Sequence, residues 1–334
     1  MDTRPQSPFW NHDENRLRAG LRVPAFLIVQ GIMLALASAS FGALLLSFTG
    51  SGASSAALSP ITEAVDVRLI SAVTTLLAAL VSVWVAGRLL DRRPFAAYGF
   101  AINSAWLRGW VFGFLLGGVV IGGVFLVQWA LGWIEITGVF VGTGASALAL
   151  IGPIVFFAFA AFAEDLIYWG YLLKNLSEGL AFPGLGRRWP VVLALVAVSS
   201  FFALGHALNP GATLISTLNI TVAGVMLALG YVLTGQLAIT LGLHFSWNLF
   251  QGYVFGFPVS GLDPTGATII SVEQGGPALW NGGSFGPEAG LLGLLAMITV
   301  CGIILMRFSI RGEASIAPAI TAYRTRKRDS THAV

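Results

Sequence analysis

The chain has 334 residues, 56% of them hydrophobic and only 10% charged, with a mean hydropathy of +0.82 and a formal net charge of +3. That composition lies far outside the range of soluble domains and excludes one; it indicates a polytopic membrane protein. The single cysteine, Cys301, sits in an apolar run, so no intrachain disulfide is available.

A transmembrane helix needs about 20 mostly apolar residues. That ruler places spans near 24–48, 69–89, 109–131, 148–173, 190–208, 213–233, 237–256 and 288–306. The first run follows Arg16, Arg18 and Arg22 and contains "ALASA" at 35–39, as a signal peptide does, but it is about twice as long as a signal core and is read as a span. Trp106 and Trp110 at one end of the third span, and Trp129 and Trp133 at the other, are expected at the membrane interfaces. Between Trp189 and Leu262 there is no Asp, Glu, Lys or Arg, and "NPG" at 209–211 and "LTGQ" at 233–236 are the only punctuation, so three spans joined by two tight turns are expected.

Of the 18 Lys and Arg residues, 17 fall in the segments 1–23, 88–108, 174–188 and 307–334, and only Arg68 falls on the other side. This bias predicts cytoplasmic termini and an even number of spans. The fold class is therefore an all-α polytopic bundle of about eight transmembrane helices. Segment 1–23 is cytoplasmic, 24–143 holds three spans, 144–256 holds the polar-bearing spans, 257–287 is an extracytoplasmic Gly-rich loop, 288–306 is the last span, and 307–334 is a basic cytoplasmic tail. No internal repeat, phosphate-binding Gly loop or basic-aromatic nucleic-acid surface is present, and "YRTRKRDS" at 323–330 reads as a tail at the lipid surface rather than a nucleic-acid contact. Membrane lipid is the expected neighbour. Arg outnumbers Lys sixteen to two, which fits a GC-rich bacterial genome and a multi-pass protein of a bacterial plasma membrane.

Few ionisable groups remain at membrane depth: Glu164 and Asp165 in the fourth span, His206 in the fifth and His244 in the seventh. An acidic side chain at a helix centre costs about 2.5–3.5 kcal/mol on insertion scales, so two neighbours must face protein or water, and a cavity is implied. His244 and Asn248 stand four apart on one helix face, as do Phe202 and His206. Gly205 and Gly242 adjoin the histidines or lie one turn's reach from them, and small residues let membrane helices approach closely. Any single buried histidine is as readily a helix-to-helix hydrogen bond; two of them with two carboxylates point to a site.

The motifs "EDLIYW" at 164–169, "FALGH" at 202–206 and "HFSWN" at 244–248 together resemble the CAAX-protease and bacteriocin-processing family of intramembrane endopeptidases, also called the Abi family. The resemblance covers about 100 residues, in order and separation, and makes 144–256 the catalytic core. It implies that Glu164 is the general base, that His206 helps hold the attacking water, and that His244 and Asn248 donate to the oxyanion. The implied partner is a membrane-associated or lipidated peptide or protein. Two positions depart from the family: the second Glu is Asp165, and the Arg is Trp169, which cannot form the ion pair that an Arg four residues on makes. Asp165 is therefore expected to lack an ionic partner, with Asp165, Trp169 and Phe202 as supporting residues.

No cofactor is implied by the resemblance. Zinc held by Glu164, His206 and His244 stays open on residue types alone, although the His-Glu-x-x-His spacing is absent. Two other functions stay open: a catalytically impaired scaffold or immunity protein of the same fold, because of Trp169, and a proton-coupled transporter, which the lack of inverted repeats disfavours. At about 1.5 Å per residue, Glu164 lies about 15 Å from Lys174, whereas His206 lies about 27 Å from Arg188, too far out unless the fifth helix tilts or "NPG" lies within the bundle.

Overall fold

The computed structural model describes residues 7, 9–12, 14–49, 67–142, 147–182, 184–263 and 267–321. The tail segment 323–330 lies outside them. Long apolar runs become long helices because in lipid every backbone N–H and C=O must be satisfied within the segment. In chain order these are α1 (Ala19–Thr49), α2 (Val67–Ala86), α3 (Ser104–Ala130), α4 (Ala147–Asp165), α5 (Trp189–His206), α6 (Leu214–Thr234), α7 (Ala238–Asn248) and α8 (Leu291–Ile310). Among the described residues, seven helices are long and apolar enough to cross a membrane. The remaining one, α7, has 11 α-helical residues followed by a π-helical run, Leu249–Val254, and lies within the bundle.

Local chemistry fixes the ends. Asn103 caps α3 by accepting from the Trp106 N–H, and Thr213 and Ser216 form a reciprocal capping box at the start of α6. Gly235, at φ +68°, takes the left-handed turn that ends α6 and leads within three residues into α7. The expected pair of tight turns is thus present.

Helices α3 and α7 pack backbone to backbone. A methyl group on Gly242 would overlap the Trp110 carbonyl, and one on Gly113 would overlap the Ile239 carbonyl. Such contacts are how helices associate without a hydrophobic drive between them. Gly205 does not do this: the nearest atom to a Cβ there is the Tyr168 hydroxyl, at 3.4 Å.

The structure adds detail at both ends of the bundle. At the end where α1 begins, Arg22 pairs with Asp91 at 2.9 Å, and Arg93 and Arg16 pair with Glu178 at 2.8 and 3.0 Å. Tyr98 and Asn175 also donate to Asp91, and Lys174 donates to the Ala319 carbonyl. Segment 1–23 and the start of the tail are therefore partly docked: Arg16, Arg22 and Ile320 are buried. At the opposite end, β-branched residues of the Gly-rich loop form a strand, β2 (Thr268–Gln274), antiparallel to β1 (Ile134–Val141). The bundle therefore carries a two-stranded sheet that the helical periodicity did not predict.

Candidate active site

The two adjacent carboxylates do different things. Neighbours on an α-helix point about 100° apart. Glu164 thus lines a cavity with its side chain one-third exposed, while Asp165 is fully buried beside it. Directly after them α4 continues as a π-helical run, Leu166–Leu173, and then as a further turn, Lys174–Gly179. Another π-helical run, Leu249–Val254, follows directly after Asn248, so two of the three motif-bearing helices change their winding next to the polar residues, a feature frequent at functional sites.

His244 is held by the pair. Its Nδ1 is 2.9 Å from Asp165 Oδ1 and its Nε2 is 3.6 Å from Glu164 Oε2. The Trp169 indole N–H donates to the same Asp165 oxygen at 3.0 Å. This corrects the sequence expectation for Asp165, which has an imidazole partner from another helix and an indole donor from its own. Spacing within one helix revealed neither, because the partner lies 79 residues away. With the Asp165 carboxylate accepting from Nδ1–H, Nε2 is the nitrogen turned toward Glu164 and the cavity.

His206, at the end of α5, has Nδ1 2.9 Å from the Phe202 carbonyl. A carbonyl only accepts, so Nδ1 carries the proton and Nε2 is the basic nitrogen of the neutral ring. The Phe202 ring lies 4.6 Å from the His206 ring and 6.3 Å from the His244 ring, and so spaces the two imidazoles. Glu164, His206, His244 and Asn248 all line one cavity of about 570 Å³. His206 is therefore not out of reach: the cavity extends to the end of α5, so the residue's distance from Arg188 is no obstacle.

One buried carboxylate escaped the sequence reading. Glu288, placed at the edge of the last span, precedes α8 in the structure, is buried, and lines the same cavity. Its Oε2 accepts from the Ser260 backbone N–H at 2.6 Å and from the Ser260 hydroxyl at 3.1 Å. Burial pushes its carboxyl above the usual range, with the Ser260 hydrogen bonds opposing that shift. The only sequence signal was an acidic residue adjoining an apolar run.

Each histidine gives Nδ1 to Asp165 or to the Phe202 carbonyl and keeps Nε2 for the cavity, and among the described residues no three His, Cys, Asp or Glu side chains gather to hold a metal ion.

No curated protein and no solved structure matches the chain. Residues 145–250, which carry all three motifs, the buried Asp165–His244 pair and the cavity-lining quartet, match the family described as type II CAAX prenyl endopeptidase Rce1-like, a membrane protease family and the one that the motifs resemble.

Proposed function

We propose that this chain is an intramembrane endopeptidase that hydrolyses a peptide bond of a membrane-associated polypeptide with an activated water and no metal. One observation carries the reading: four polar side chains from three helices, Glu164, His206, His244 and Asn248, line a single cavity within the helix bundle. Glu164 takes a proton from a water whose other hydrogen is accepted by His206 Nε2, and the hydroxide equivalent attacks the scissile carbonyl. Charge then develops on the carbonyl oxygen. Asn248 donates to it from its amide, and His244 donates from Nε2 as an imidazolium whose charge Asp165 balances from behind. When the carbon–nitrogen bond breaks, Glu164 returns its proton to the leaving amine, so the carboxylate is regenerated and no covalent enzyme intermediate forms.

The impaired-scaffold reading rested on the missing Arg. The Trp169 indole donates to Asp165 in its stead, which supports a working site. The deciding experiment uses purified protein in lipid with a library of membrane-tethered fluorogenic peptides: cleavage is expected from the natural chain and lost in Glu164→Gln. Cleavage that survives that change removes the base assignment.

A further inference from the structure

The cavity and the cation-rich end lie at opposite ends of the bundle. Arg22, Arg93, Arg108, Arg188, Arg307 and Arg311 all sit where α1, α3, α5 and α7 begin and where α2, α4, α6 and α8 end. The cavity runs the other way. From Glu164 it passes His206 at the end of α5 and reaches Asn209, Ser260, Asp263 and Glu288, together with Arg68 at the start of α2. Leu262 and Asp263 at that rim are exposed.

Toward the cation-rich end the same bundle is closed by packing. Trp169, Tyr171, Leu173, Tyr98 and Phe26 are fully buried there, with Phe26 stacked on Tyr171 at 3.8 Å. Behind them lies the Arg22–Asp91 and Arg93–Glu178 ion-pair cluster. Among the described residues the two ends also differ in sign: at the end to which the cavity runs stand Glu135, Glu273, Asp263 and Glu288 with a single basic residue, Arg68. Cytoplasmic loops of membrane proteins carry an excess of Arg and Lys, and that bias sets the orientation.

We infer that the cavity opens to the extracytoplasmic face, so that the substrate is a polypeptide segment already carried across the membrane or anchored in its outer leaflet. A step that translocates the polypeptide must then precede cleavage. Leu27, Leu34 and Phe201, exposed apolar residues of the cavity wall on α1 and α5, give such a lipid-held segment a side approach. What is admitted depends on the protease reading; the direction from which it is admitted does not.

The test places single cysteines in the full-length chain carrying Cys301→Ser, expressed in a bacterial host. Thr75→Cys and Asn209→Cys report on the cavity wall, Asp263→Cys on the rim and Arg311→Cys on the opposite end. Intact spheroplasts are treated with a sulfonated, membrane-impermeant maleimide. The cavity and rim cysteines are expected to react as fully before lysis as after, and Arg311→Cys only after lysis. Cavity cysteines that react only after lysis overturn the inference. So does a rim that reacts from outside while both cavity positions stay dark in folded protein, judged by size-exclusion profile. Because labelling needs no cleavage, a chain that labels as expected yet hydrolyses nothing refutes the protease reading and leaves the sidedness standing.

Discussion

Asp165 Oδ1 and His244 Nδ1 meet at 2.9 Å across two helices, both side chains buried, and that bond decides which imidazole nitrogen faces the cavity. Residues that orient a reacting group from behind typically carry about 10- to 100-fold of activity. Asp165→Ala is expected to lower kcat by roughly that factor with KM little changed. Asp165→Asn, whose amide oxygen still accepts from Nδ1–H, recovers part of the loss. Combined with His244→Ala, the Asp165 change should add almost nothing, because the two act as a unit. Additive losses in steady-state kinetics would show that they work separately.

Glu164→Gln removes the base and keeps the shape, and a loss of at least about 100-fold in kcat is expected. Chelators such as EDTA and phenanthroline should leave the natural chain's rate unchanged, since no three potential ligands gather among the described residues. A rate that falls with chelator and returns with added zinc would contradict the metal-free mechanism.

Trp169 fills a fully buried position against Phe202 and Tyr168 while donating to Asp165. Trp169→Phe keeps most of the packing and loses the donor, for an expected cost of about 1 kcal/mol in stability and a fall in kcat. Trp169→Arg, which restores the family's residue, is expected to bring no gain in kcat/KM because the carboxylate already has a donor. A clear gain would mark the natural chain as impaired.

Gly242 lets α7 lie directly on the backbone of α3. Gly242→Ala must push the helices apart or distort one of them, at an expected cost of about 1–3 kcal/mol. Because His244 is two residues further on, kcat should fall with the melting temperature. A thermal shift assay in detergent that finds Gly242→Ala unchanged would contradict the close approach.

Glu288 supplies a pH-dependent term. Burial raises its carboxyl above the ordinary value, so between the ordinary and the raised value the folded chain holds a proton that the unfolded chain has released. Stability therefore falls as pH rises through that window. Glu288→Gln, which keeps an oxygen for the Ser260 donors, should remove this decline: its melting temperature should exceed that of the natural chain above the window and match it below. Parallel pH profiles for the two proteins would exclude the effect.

The sequence by itself determined the membrane character, the order and approximate place of the helices, and the four polar residues facing the cavity. Each is written locally: apolar runs of spanning length must close their own hydrogen bonds, and charges too costly for lipid stand out against them. The same reading singled out Glu164 and Asp165 as neighbours and expected Asp165 to lack an ionic partner. Only the tertiary structure decided that one lines the cavity and the other holds His244, because that division depends on a helix 79 residues further along the chain. It also decided that Trp169 serves as a donor, that Gly242 rather than Gly205 brings helices together, and that Glu288 joins the site from a loop. Spacing along one helix predicts which side chains share a face; which partner that face meets is set by packing between distant segments.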